Sequence, residues 1–117
     1  MSSPAPTISV VMPAFNAARF IAEALESVLA EVTAVAGSSF DVVVADDCST
    51  DATADIVRSF AGRGVRYLKR PVRGGPGAAR NSGVGAAEGE LLAFLDADDL
   101  WPAGRLAVLK EIGRAHV

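Results

Sequence analysis

The sequence is poor in the residues that build disulfides, metal clusters and aromatic platforms: 117 residues include one cysteine, one histidine, one tryptophan and one tyrosine. A lone Cys48 excludes an internal disulfide and a cysteine-based zinc site, and it reads as a small packed residue rather than a nucleophile. Charge of one sign is not in excess either. The net charge of −3 argues against a nucleic-acid partner, which would want a basic face. No apolar run approaches the ~18 residues of a membrane span. Residues 1–6 form a Ser/Pro/Ala leader without the basic and apolar regions of a signal peptide, expected to be disordered. What remains is an ordinary globular composition, 50% hydrophobic and 21% charged, sized for one small domain. The chain reads as cytoplasmic. Membrane association, at the inner face, would have to come from sequence further downstream.

What the chain does have is acid at the ends of apolar runs. Leu91 to Leu95 reads as a strand buried on both faces, and Asp96-Ala97-Asp98-Asp99 follows it directly. Three carboxylates in four residues repel one another unless a positive charge sits among them. Open α/β sheets bind ligands in the crevice at the carboxyl ends of their strands, so a divalent cation carrying a phosphorylated ligand is the first reading. An acidic turn capping the next helix explains one such cluster equally well. A second cluster tips the balance. Phe40 to Ala45 is another strand-like run, and it ends in Asp46-Asp47-Cys48-Ser49-Thr50-Asp51. Ser49 or Thr50 can cap a helix from Asp51 onward, with Asp51 at the positive end of its dipole. Asp46 and Asp47 precede that cap and are better explained by a crevice shared with Asp96 and Asp98.

The remaining pattern alternates strands and helices. Ile8 to Met12 is a first strand, which Pro13 is expected to break. Asn16 is the expected cap of a helix over residues 17–35 that buries Phe20, Ile21, Ala24, Leu25, Val28, Leu29 and Val32. The second helix buries Ile56, Val57 and Phe60. Val65 to Lys69 is a third strand. The loop at Gly74 to Gly77 leads into a small-residue helix over residues 78–87, with Pro76 near its start. Pro102 opens a last helix with Leu106 and Leu109 inward. The order predicts an α/β fold whose sheet is largely parallel with right-handed crossovers and whose chain stops after the fourth strand.

Four segments then carry a resemblance: I-S-V-V-M-P-A-F-N (Ile8 to Asn16), V-V-V-A-D-D-C-S-T-D (Val42 to Asp51), G-P-G-A-A-R-N-S-G (Gly75 to Gly83) and L-D-A-D-D-L-W-P (Leu95 to Pro102). In this order and spacing they resemble the family 2 glycosyltransferases of the GT-A fold, over about Ile8 to Leu109. The resemblance implies a nucleotide-sugar donor, with Pro13, Ala14 and Phe15 lining the base pocket and Asp47 accepting a hydrogen bond from the base. Asp46 either assists there or orients the loop. Asp96 and Asp98 form the D-x-D element with Ala97 between them. Asp96 would lie near ribose and metal, and Asp98 would ligate Mn²⁺ or Mg²⁺, which suit hard oxygen ligands. Arg80 matches the A-R-N element and would contact the donor or pair with Asp47 or Asp96. Arg73 and backbone N–H groups of the Gly74 to Gly77 loop are candidates for phosphate.

The resemblance also implies inversion, with a saccharide or lipid-linked acceptor and a carboxylate base on the acceptor side. No motif for that base precedes Val117, so none of these residues is assigned as catalytic, and residues 7–110 are expected to be the donor-binding part of the domain. A non-catalytic nucleotide-binding fragment is the alternative. Residues 111–117 read E-I-G-R-A-H-V, which matches one reading frame of a common short-read sequencing adapter, and are expected to be a non-native tail that gives His116 no role. Rival folds fit less well. A haloacid-dehalogenase phosphatase and a receiver domain place their acids on the first strand, and a dinucleotide-binding domain wants its glycines there.

Overall fold

The computed structural model describes residues 8–37, 39–89 and 91–95. Four strands, β1 (Ile8–Ala14), β2 (Phe40–Asp46), β3 (Val65–Lys69) and β4 (Leu91–Phe94), form one parallel sheet in the order β3-β2-β1-β4. The helices are α1 (Ile21–Ala36), α2 (Thr53–Arg58) and α3 (Pro76–Ala86), with a short 3₁₀ turn at Ala61–Arg63. The first two crossovers step one way along the sheet and the third steps back across it. Right-handed crossovers therefore put α1 and α2 on one face and α3 on the other. This is the expected α/β parallel architecture.

Strand alternation assigns the faces. Ile8, Val10 and Met12 of β1 and Val42 and Val44 of β2 join α1 in the main core, where Ile21, Ala24, Leu25, Val28 and Val32 are fully buried. Burying each of the larger side chains among these, Ile21, Leu25, Val28 and Val32, contributes about 1.5–3 kcal/mol relative to exposure. On the opposite face α3 lies very close to the sheet. A Cβ at Gly83 would collide with Val11 Cγ1 and come within 3.6 Å of Ala45 Cβ. The small-residue character of this helix permits that approach.

Several sequence expectations need correction. Pro13 does not break β1, which runs on through Ala14 with Pro13 opposite Ala45. The Val11 carbonyl accepts from Leu95 N–H at 3.2 Å, and Pro13 faces that same side just past the last ladder bond. Its missing donor therefore breaks no pairing to β2. Asn16 does not cap α1, which starts only at Ile21, and Phe20 sits in the preceding turn at 45% exposure instead of in the core. The second helix starts at Thr53 rather than Asp51, and neither Ser49 nor Thr50 caps it. The α3 helix begins at Pro76 rather than residue 78, with Pro76 in its first turn and Gly75 (φ 91°) before it. β4 is not buried on both faces. Ala93 and Leu95 are buried against the α1 side, but Leu92 and Phe94 are 43% and 41% exposed because α3 lies over β1 and β2. Residues 96–117, which include the D-x-D element, Trp101, the helix expected after Pro102 and the suspected tail, lie outside the described residues, as does the leader.

At the amino edge of the sheet one buried carboxylate fastens the end of α3. Asp41 accepts from Arg66 Nε (2.7 Å) and Nη2 (2.8 Å), from Ser9 Oγ (3.2 Å) and from Glu88 N–H (3.1 Å). Arg66 Nη2 also donates to the Ala86 carbonyl at 2.6 Å. Burial alone would raise the Asp41 pKa, but Arg66 and the other donors outweigh it and the net shift is downward. The native state thus binds this proton less readily than the unfolded chain does. Asp41 stabilises fully above the ordinary carboxylate value, and that stability is lost as pH falls through the lowered native value. Urea unfolding from pH 7 down to pH 3 should show a shallower acid limb for Asp41→Asn than for the parent; equal slopes would remove Asp41 from this role. Gly83→Ala gains helix propensity of ~1 kcal/mol but drives a methyl into Val11, and overpacking costs about 1–3 kcal/mol. A net loss of stability in the same denaturation is expected, and a stabilised variant would show that α3 can lift off the sheet.

Candidate functional site

The carboxyl ends of β1 and β2 and the start of α3 enclose a cleft of about 410 Å³. Its walls include Pro13, Ala14, Phe15, Phe20, Asp47, Arg73 and Arg80. Five of the residues singled out for the donor (Pro13, Ala14, Phe15, Asp47 and Arg80) thus lie together, from segments up to the start of α3. Asp96, Ala97 and Asp98 lie outside the described residues. Among the described residues no group of three or more His, Cys, Asp or Glu side chains could hold a metal ion.

Asp46 and Asp47 are neighbours with different jobs, because successive side chains at a strand end point to opposite faces. Asp46 turns away from the cleft and is 1% exposed. It accepts from Tyr67 Oη at 2.5 Å on one oxygen and from Ser49 N–H (3.0 Å) and Ser49 Oγ (2.5 Å) on the other. Asp47 lines the cleft and Asp46 does not, so the geometry of Asp46 matches orientation of the loop. Burial, followed by the Asp46 carboxylate, pushes the Tyr67 hydroxyl up to about 12, which keeps it a donor at all ordinary pH.

Asp47 turns toward α3 and is 2% exposed. Gly74 N–H donates to Oδ1 at 2.9 Å and Gly75 N–H to Oδ2 at 2.8 Å. Arg70 Nε stands 3.3 Å and Arg73 Nε 4.0 Å from the carboxylate. Arg70 Nε is close enough to pair by charge but is misaligned for a hydrogen bond. The Gly74 N–H, then the Gly75 N–H and the two arginines, hold the Asp47 pKa below the usual carboxylate range against the effect of burial. The carboxylate is ionised at neutral pH. Two sequence expectations change here. The N–H groups of Gly74 and Gly75 serve Asp47 rather than being directed at phosphate. Arg70, for which the sequence pattern carried no assigned role, joins Arg73 in pairing with Asp47. An Arg at the end of a strand facing an acidic strand end was the signal that could have found it.

The β1–α1 loop is stitched to the β2–α2 loop. Asn16 takes a left-handed backbone (φ 48°). Its N–H donates to Ser49 Oγ and its Oδ1 accepts from Thr50 N–H, both at 2.8 Å. Asp51 accepts from Ala18 N–H at 3.1 Å and from Thr53 N–H at 2.9 Å, and Ala17 N–H donates to Thr53 Oγ1 at 2.9 Å. Asp51 therefore serves α2 and the neighbouring loop together, a structural role as expected. Cys48, also left-handed (φ 66°), donates its S–H to the Arg70 carbonyl at 3.2 Å. Phe15 is left 38% exposed at the cleft mouth, with the Arg73 guanidinium 3.7 Å from its ring centroid. Arg80 lies 5.7 Å from the Phe94 ring centroid.

The arrangement suits a ligand with a flat apolar face, a polar edge and an anionic tail. Comparison with known proteins is decisive about the family, because the family model for "Glycosyl transferase family 2" matches residues 9–112. The chain belongs to glycosyl transferase family 2. It is 43% identical over 101 residues to the succinoglycan biosynthesis protein ExoO of Rhizobium meliloti (strain 1021), covering 86% of this chain and 28% of that protein. The crystal structure of S. aureus TarS 1-349 in complex with UDP-GlcNAc superposes with a TM-score of 0.83 at 33% identity, over 94% of this chain and 32% of that TarS 1-349 chain. A Pyrobaculum calidifontis mannosyltransferase in complex with GDP-Man and Mn²⁺ gives 0.78 at 29% identity, over 95% and 32%. The chain has the GT-A α/β fold and spans 28% to 32% of the lengths of these relatives.

Asp47→Ala removes the acceptor that fixes the loop before α3. Amide hydrogen exchange at Gly74 and Gly75 should rise at least ~10-fold, the loss of about 1.4 kcal/mol of local protection, while Val43 and Val44 keep theirs. Unchanged exchange at both glycines would show that the loop is held by something else.

Proposed function

We propose that this cleft binds a nucleotide-diphosphate sugar, UDP-linked, and that the whole protein transfers the sugar with inversion to a hydroxyl of a saccharide or lipid-linked acceptor in cell-envelope polysaccharide synthesis. The observation that carries the reading is the meeting of Phe15, ionised Asp47, Arg73 and Arg80 around one cleft at the carboxyl edge. TarS complexes with UDP and UDP-GlcNAc, and the relative named as UDP-Glc:alpha-D-GlcNAc-diphosphoundecaprenol beta-1,3-glucosyltransferase (WfgD, Escherichia coli), support the nucleotide and the acceptor class.

In this reading Pro13, Ala14 and Phe15 carry the base and Asp47 accepts from its polar edge. Asp47 is already constrained, so it meets the base without first ordering a flexible carboxylate. Arg73 and Arg80 face the phosphates. Asp96 and Asp98 would hold Mn²⁺ or Mg²⁺, and a cation bound there would offset the diphosphate charge as it leaves. The residue that deprotonates the acceptor is not among those named and is expected beyond Lys110. Residues 7–110 act as the donor-binding part, and the protein works in the cytoplasm at the inner face of the membrane.

Calorimetry with UDP tests the donor site and its metal together. Binding should be at least ~10-fold tighter with Mn²⁺ than with EDTA, as expected if a cation held by the protein offsets the diphosphate charge. Asp98→Asn should lose most of that difference. Equal UDP affinity in both conditions would refute the metal role, and no UDP binding in either would refute the donor site.

A further inference from the structure

Arg73 stands where the proposed base would have to go. Its guanidinium lies 3.7 Å from the Phe15 ring centroid, which is stacking contact, and its Nε is 4.0 Å from Asp47 Oδ2. A planar base that stacks on this face of Phe15 and presents its edge to Asp47 needs that same space. Both cannot occupy it. The backbone beside Arg73 is held, because Gly74 and Gly75 N–H groups are fastened to Asp47. The Arg73 side chain, by contrast, is 63% exposed. The least costly way to open the ring is rotation of that side chain alone.

Its destination follows from the neighbours. Arg73 leads directly into the start of α3, and Gly75, Pro76 and Arg80 line the same cleft. That end of the helix carries the positive end of its dipole, so it and the two arginines together favour an anion. A guanidinium released from Phe15 stays within this positive rim, and its planar fork suits a phosphate.

We propose that Arg73 is an exchangeable occupant of the nucleobase position: it stacks on Phe15 in the empty cleft and transfers to the diphosphate when a nucleotide enters. Arg73 thereby opposes binding of the base alone and assists binding of the base joined to phosphate. The domain discriminates a nucleoside from a nucleoside diphosphate by more than the phosphate contacts themselves. This rests on the reading that the base lies against Phe15.

The test compares uridine and UDP, by NMR titration and calorimetry, on the full chain and its variants. Arg73→Ala should bind uridine about two- to fivefold tighter, the worth of one exposed cation–π contact. The same variant should bind UDP at least ~3-fold weaker, having lost a charged phosphate partner. Arg73→Lys keeps the charge but not the stacking plane, so it should tighten uridine while holding UDP near the parental value. Changes of the same sign for both ligands in Arg73→Ala, or unchanged uridine affinity, would overturn the proposal. Phe15→Ala made in the Arg73→Ala background, where no guanidinium competes for the ring, separates it from the reading beneath it. Uridine binding weaker than in Arg73→Ala upholds the base position, whereas unaltered uridine binding refutes the base position itself.

Discussion

The ionised carboxylate of Asp47, withdrawn almost completely from water, is the constraint on which the cleft depends. A buried charge is tolerated only when paired and hydrogen-bonded. Here the partners come from a single stretch after β3: Arg70, Arg73 and the N–H groups of Gly74 and Gly75. Satisfying Asp47 therefore dictates the path of the chain into α3. Gly75 at φ 91° is part of that path, since a residue with a side chain would be strained there. Loop, helix start and acidic side chain are consequences of one electrostatic requirement.

The preceding residue imposes a matching constraint on the other face. Asp46 draws in Tyr67 from β3 and Ser49 from the β2–α2 loop, and Ser49 in turn accepts from Asn16. Strand alternation is what allows two adjacent aspartates to organise opposite layers of the sheet. One consequence is that the D-D pair contributes a single carboxylate to the cleft. The other fixes the loop carrying Phe15, so the aromatic and acidic walls of the cleft are set by neighbouring residues through separate networks.

This explains which features were legible in the sequence. The alternation of apolar strands and amphipathic helices gave the element order and the parallel sheet, because burial dictates both periods. The acidic end of β2 pointed to the cleft that Asp47 lines. The roles of Asn16, Gly74 and Gly75 were not legible, since each binds a residue far away in the chain: Asn16 to Thr50, and the glycines to Asp47. Local rules suggested a cap for Asn16 and an anion cradle for the glycines, and long-range partners displaced both. β4 misled for a related reason. An all-apolar run looks doubly buried, but Leu92 and Phe94 face the side of the sheet where α3 covers β1 and β2 instead.

The two buried aspartates on the α3 face, Asp41 and Asp47, act at opposite ends of one helix. Six residues of extended chain separate them, about 20 Å. The 11 residues of α3 span about 16 Å. Asp47 holds the N–H groups just before α3, while Asp41 and Arg66 hold Glu88 N–H and the Ala86 carbonyl at its other end. Between these anchors, Gly83 brings the helix into contact with Val11 and Ala45. Tilting a helix fastened at both ends and in close contact at its middle would break these bonds and contacts together. Accommodation of a ligand therefore costs least at the side chains of the mouth. Of those, Arg73 is largely exposed and rests on the Phe15 ring at 3.7 Å, which makes it the element whose movement opens that ring at the lowest cost.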